Sequence, residues 1–190
     1  VGQAIGLLVA LHESDGTAPV GRGIGPALEA ADVLAVLRRA PAAPTDLRDR
    51  ALDLAGRLLD MAPGASGKTG RARAEKLLDS GAADAKFMAI CAAQGGFREP
   101  GEAPQRAEML APAAGYITAI DNRLIARIAK LAGAPRQQRA GVRLLVRVGE
   151  PVETGQPLYE IHAETTGELA YARAYAEAHA DALSLSEDTA

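Results

Sequence analysis

Three glycines at alternate positions lead straight into a proline-started helix in residues 19–32, PVGRGIGPALEAAD, and this stretch limits the backbone more than any other in the chain. Gly21, Gly23 and Gly25 allow positive φ and close approach of other backbone. Pro26 suits the first helical position. The free N–H groups and dipole at such a helix start favour a polar or anionic neighbour. Two readings fit: a binding turn, or a tight strand-to-helix connection packed against other backbone.

The rest of the chain sets the class. Its 190 residues suffice for one large or two small domains. Its apolar content is mostly Ala, Leu and Val with few aromatics, which favours helices. The formal charge of −3 is spread along the chain without a basic stripe, so nucleic acid is not an expected partner. Cys91, the one cysteine, forms no internal disulfide, and no Cys/His cluster has zinc-ligand spacing. A reducing cytoplasmic location is the default expectation. Within FMAIC at 87–91, Cys91 is expected to fill core. No apolar stretch is long enough for a membrane span, and VGQAIGLLVALHE lacks the basic start of a signal peptide.

Along the chain, the apolar run at 7–11 reads as a strand buried on both faces, ending at a Ser14-Asp15-Gly16 turn. Helical spacing follows from Pro26, breaks at the prolines of 41–44 where Thr45 can cap the next helix, and resumes at 47–59, 71–78 and 84–93. Residues 100–104 read as an exposed linker. Beyond it come a strand at 115–120, a helix at 122–131, strands near 142–148 and 158–162, a helix at about 166–180 and a last strand at 183–186. The expected division is 1–99, a 100–106 linker, and a compact α+β module at 107–190.

The glycine-rich wording DGTAPVGRGIGPALEAADVLAVL resembles a segment of the pyrimidine-nucleoside phosphorylase family, most closely its long branch of AMP and thymidine phosphorylases. The stretches APAAGYITAID and VGEPVETGQPLYEIHA are similar to the C-terminal domain of the same family. The resemblance implies an α/β plus α+β fold: the helix-rich end of the phosphorylase α/β core, then a small C-terminal α+β domain of hammerhead or barrel-sandwich type. It implies a pentosyltransferase that splits a nucleoside or nucleotide with inorganic phosphate, giving free base and sugar 1-phosphate. The family's phosphate loop and base-binding residues lie upstream of the segment present here. An inactive C-terminal fragment of a cytoplasmic homodimer is therefore implied, with no catalytic residue of its own, and the absence of an initiator Met before Val1 fits a processed or truncated chain. The strand at 7–11 would then lack neighbours and favour self-association.

Some members of the family bind a monovalent cation beside the phosphate loop. Matched residue for residue, its ligands here would be the carbonyl oxygens of Val20 and Gly23 and the carboxylate of Asp32, where those members carry a longer Glu. Gly21, Gly23 and Gly25 would shape the nearby turn. Without the resemblance, Asp32 reads as a first-turn acid favoured by the helix dipole.

Other motifs point less far. GASGKTG at 64–70 lacks the leading glycine of a phosphate loop, because Ala62 stands there, and reads as an interhelical loop with Ser66 or Thr69 capping the next helix. GEPVETGQPLYEIHA also resembles biotinyl and lipoyl carrier hairpins, but the following AETTGELA has no lysine to modify. His12, His162 and His179 have no sequence partners for acid–base work and read as structural or surface residues. The acid pairs Glu13/Asp15 and Glu164/Glu168 read as turn and cap residues. Two rivals remain: a non-catalytic binding or scaffold module with a phosphorylase-like half, and a stand-alone nucleotide-binding α/β protein using the glycine turn.

Overall fold

Two antiparallel sheets and six helices are built from residues 2–62 and 69–187, the residues that the computed structural model describes. The elements are β1 (Gly23–Ile24), α1 (Pro26–Leu37), α2 (Thr45–Met61), α3 (Gly70–Asp79), α4 (Ala82–Ala93), β2 (Gln105–Leu110), β3 (Gly115–Ile120), α5 (Asn122–Leu131), β4 (Gly141–Leu144), β5 (Pro151–Val152), β6 (Pro157–Ala163), α6 (Thr166–Ala178) and β7 (Leu183–Ser186). The first sheet runs β1-β4-β6-β2 and the second β5-β3-β7.

The main core lies between these sheets and helices α5 and α6. Helix α5 begins where the Asp121 carboxylate accepts the N–H groups of Arg123 and Leu124, at 2.8 and 3.0 Å. Its buried residues Ile125, Ile128 and Ala129 follow helical spacing. Helix α6 is capped by Thr165, whose hydroxyl accepts from Glu168 N and donates to the Glu168 carboxylate. Ala172 and Ala176 present its small face to the core. From the first sheet come Val142, Leu144, Tyr159, Ile161 and Ala163. Burial pushes the Tyr159 hydroxyl up to about 12.

Helices α1, α2 and α3 share a smaller cluster of Val36, Leu52, Ala74 and Leu78. Gly56 and Gly70 let α2 and α3 meet: a Cβ on Gly70 would lie 1.9 Å from the Gly56 carbonyl oxygen. The helices leave an apolar groove of about 510 Å³ between them, bordered by Val33, Leu47, Leu58 and Leu77.

Several expectations change. Residues 7–11 form no strand; Leu8 and Leu11 are 77% and 89% exposed. An apolar run becomes a buried strand only where neighbours offer hydrogen bonds on both edges, and no described residue does so here. Helix α4 contains no buried residue, and Cys91 is only half-buried, so the 87–91 run is not core. Thr45 is the first residue of α2 and not its cap. Thr69 precedes α3 without a side-chain cap bond; Asp60 of α2 instead accepts from Gly70 N at 2.8 Å. Ser66 and most of GASGKTG lie outside the described residues.

The arms of GEPVETGQPLYEIHA also separate. β5 pairs with β3, while β6 pairs with β4 and β2. Pro151 and Pro157 each remove a ladder donor, so a continuous ladder between the two arms is disfavoured. The turn between them docks elsewhere: Gly155 N donates to Ala111 O, and Ala111 N donates to Gln156 O, both at 2.9 Å. Strand β2 is an addition to the sequence reading, which places the linker up to its first residues.

Candidate functional site

The glycine turn closes on its own helix. Asp32, 6% exposed, sits in the second turn of α1 and reaches back, so that one oxygen, Oδ2, accepts Arg22 N at 2.6 Å and Gly23 N at 2.8 Å. Glu29 is the acid of the first turn, and its Oε1 accepts Gly25 N at 2.9 Å. Asp46 of α2 accepts Gly21 N at 3.1 Å. The amides that would face a bound anion are thus met by three carboxylates of the chain.

The glycines are required by close approach. A Cβ on Gly25, whose φ is 132°, would stand 2.3 Å from Ala140 O. One on Gly23 would stand 2.4 Å from the Leu28 carbonyl carbon. The turn also pairs with β4: Gly23 lies opposite Arg143 and Ile24 opposite Val142. Leu144 N donates to Arg22 O at 2.8 Å, and Ala27 N donates to Gln138 O at 2.9 Å. Of the two readings of this turn, the tight connection packed on backbone describes its contacts.

A charged knot ties the turn to more distant sequence. Arg147 donates to Thr45 Oγ1 at 3.1 Å and to Asp46 Oδ1 at 3.2 Å, while its own N–H donates to Glu150 at 2.8 Å. Arg22 lies in the same field, and burial together with the neighbouring Arg147 holds its guanidinium below the usual arginine range. Sequence reasoning missed Asp46 and Arg147 because nothing local marks a residue that caps a turn 25 or more positions away.

Asp32 has one oxygen committed to two N–H groups; its Oδ1 accepts no hydrogen bond among the described residues. That free oxygen, beside a carbonyl-bearing turn, is a donor type that fits a hard monovalent cation. Among the described residues no group of three or more His, Cys, Asp or Glu side chains is placed to hold a metal ion.

The other candidates take simple places. Asp15 accepts both the N–H and hydroxyl of Thr17. Glu164 pairs with Arg139 at 3.0 Å, and Glu168 belongs to the α6 cap. His12 is exposed. The His179 ring stacks on Tyr175 at 4.0 Å, with Nδ1 2.9 Å from the Tyr175 carbonyl oxygen. His162 differs: it is 3% exposed, and neither ring nitrogen has a hydrogen-bond partner. No described helix is long and apolar enough to cross a membrane.

Comparison with known proteins gives this arrangement a family. Residues 116–181, from β3 into the segment before β7, match the pyrimidine nucleoside phosphorylase C-terminal domain. The chain is 55% identical over 179 residues to "Putative thymidine phosphorylase 1" of Cupriavidus necator, covering 94% of this chain and 34% of that one. It is 52% identical over 188 residues to "Putative thymidine phosphorylase 1" of Acidovorax sp. and likewise to "Putative thymidine phosphorylase" of Hahella chejuensis, in each case covering 99% of this chain and 37% of the relative. The chain therefore spans about a third of the length of these curated relatives. The α+β architecture and these matches place the chain in the pyrimidine nucleoside phosphorylase family, whose C-terminal domain it carries.

Proposed function

We propose that the chain is the C-terminal part of a nucleoside or nucleotide phosphorylase, a pentosyltransferase that acts on a thymidine-like nucleoside or AMP. The observation that carries this reading is identity of 52–55% across nearly the whole chain to proteins named as thymidine phosphorylases. In the reaction, a phosphate oxygen forms a bond to the anomeric carbon of the sugar as the bond to the base breaks. The base leaves with the electron pair and is protonated, and the sugar 1-phosphate retains the new bond. Such a reaction demands held phosphate and stabilised charge in the leaving base.

In this reading the chain supplies scaffolding and not catalysis. Gly21, Gly23 and Gly25 shape the floor beside the phosphate, while the carbonyls of Val20 and Gly23 and the free Oδ1 of Asp32 contribute half of a monovalent cation site. Such a cation would supply fixed positive charge near the phosphate. The module after about Gln105 supports the closed form. The apolar groove of α1, α2 and α3 and the exposed 7–11 run are apolar surfaces that further chain would cover. The whole protein would work in the cytoplasm as a homodimer, on small molecules and not on nucleic acid or membranes.

Phosphate-dependent release of base from thymidine, uridine and AMP tests the proposal, with the 190-residue chain and the longer gene product assayed side by side. Activity is expected only in the longer protein. Activity in this chain, or in neither, contradicts the reading.

A further inference from the structure

The first sheet has two chemically different faces. One sends Val142, Leu144, Tyr159, Ile161 and Ala163 into the core. The other carries Arg106, Glu108, Arg143, Glu160 and His162, which the strand register places together: Arg106 lies opposite His162, and Glu160 lies between Glu108 and Arg143. Helix α1 covers part of this polar face through Ala27, Leu28 and Ala31. Between that helix and residues 100–102 a cleft of about 360 Å³ remains, lined by Arg106, Arg143, Glu160 and His162 together with Glu102.

The side chains of this cleft are only partly satisfied. His162 is buried, its Nδ1 has no partner, and its Nε2 makes no hydrogen bond but faces Glu160 Oε2 at 3.4 Å. A buried polar group without a partner is unfavourable and marks a place where a further partner belongs. The Arg143 guanidinium forms no hydrogen bond or ion pair with the described residues. Arg106 spends one amino group on the exposed Glu102, at 2.5 Å, and keeps its other donors. Burial, Arg106 and Arg143 depress the imidazole and Glu160 opposes them; the net lowering favours the neutral ring, which has one N–H to donate and one nitrogen to accept. No charged residue of α1 lines the cleft.

We propose that this cleft binds a protonated phosphate group. Arg106, Arg143 and the His162 N–H donate to its unprotonated oxygens, and Glu160 accepts from its P–O–H. The carboxylate is the discriminating part. An oxyanion with no proton sets a bare oxygen against Glu160, whereas phosphate turns the same contact into a hydrogen bond. The volume exceeds what the inorganic ion needs, so the phosphate group of a small monoester is accommodated as well. The site is separate from the glycine turn, whose amides are already met by Asp32, Glu29 and Asp46. It does not depend on the phosphorolysis reading.

The test is nuclear magnetic resonance of the His162 ring nitrogens in the 190-residue chain, titrated at pH 7 and matched ionic strength with inorganic phosphate, glycerol 3-phosphate and sulfate. Phosphate is expected to shift the His162 resonances along a saturable curve, with sulfate weaker by about tenfold or more. Saturation by glycerol 3-phosphate assigns the site to esters as well; saturation by inorganic phosphate alone assigns it to the free ion. Arg143→Ala should weaken phosphate binding about tenfold. Glu160→Gln should bring sulfate close to phosphate. Both positions are partly exposed, and the phosphate-to-sulfate ratio of the unmodified chain decides the matter even if a variant fails to fold. Unmoved His162 resonances with both phosphates, or sulfate binding as well as phosphate, would overturn the proposal.

Discussion

The helical region at 26–93 and the α+β region at 105–186 use similar apolar residues to different ends. In the second, Ile117, Ile125, Ile128, Ile161 and Val142 are fully buried, and two sheets close around them with α5 and α6. In the first, the buried cluster is four residues, α4 buries none, and Leu58 remains 69% exposed beside an apolar groove. The difference teaches that helical periodicity reports amphipathicity but not coverage. A stripe of leucines is the same whether or not its partner is present. The glycine turn binds the two regions, since β1 lies in the sheet of the second while α1 belongs to the first.

Truncation should separate the regions most strongly. Ile128→Ala, at a residue with no exposure, is expected to cost about 2–5 kcal/mol in denaturant unfolding, whereas Leu58→Ala on the open helical face should leave the midpoint nearly unchanged. Equal losses would erase the contrast. The joint between the regions comes next. Gly25→Ala forces a Cβ against Ala140 O and should cost about 1–3 kcal/mol from the backbone alone, read as a lowered midpoint with early loss of α1 helicity. Asp32→Ala leaves Arg22 N and Gly23 N without their acceptor and is expected to cost about 1–3 kcal/mol by the same measurement.

A smaller effect lies in pH. His162 has a folded pKa depressed chiefly by burial, below the roughly 6.5 of a free imidazole, so the unfolded chain takes up its proton first. Stability tied to this group is present above about pH 6.5 and is lost as pH falls towards the folded value, by no more than about 1.4 kcal/mol per pH unit. Unfolding midpoints measured from pH 7.5 to 5.5 should show this slope, and His162→Gln should flatten it. Smallest of all, Glu99→Ala removes an exposed pair with Arg38 and should leave the midpoint within error.

Much of this was legible in the sequence where a local signal fixes an element. Pro26 starts α1, the helical spacing of 122–131 gives α5 its bounds, and the apolar pattern of 115–120 gives β3 its own. The pieces that were not legible depend on partners distant in sequence. Strand β2 reads QRAEML, without clean alternation, and exists as an edge because β6 accepts it. The run at 7–11 looks like a core strand and is not one, because burial needs a neighbour that no pattern within the run reports. At the site, the three glycines announce close approach, yet the backbone that Gly25 approaches, Ala140 and Gly141, lies more than a hundred residues on. The polar face of the first sheet was hidden in the same way, because Arg106, Arg143, Glu160 and His162 come from three strands.

The α+β region, with the glycine turn clamped to its sheet, is the stable unit, and the helices at 45–93 are held less firmly. Native-state hydrogen exchange of backbone amides measures this directly. Amides of β3, β4, β6 and α5, together with Leu144 N bonded to Arg22 O, are expected to exchange only through global unfolding, while those of α2, α3 and α4 exchange through smaller openings. Equal protection across both regions, or a Leu144 amide that exchanges with the helices, would contradict it.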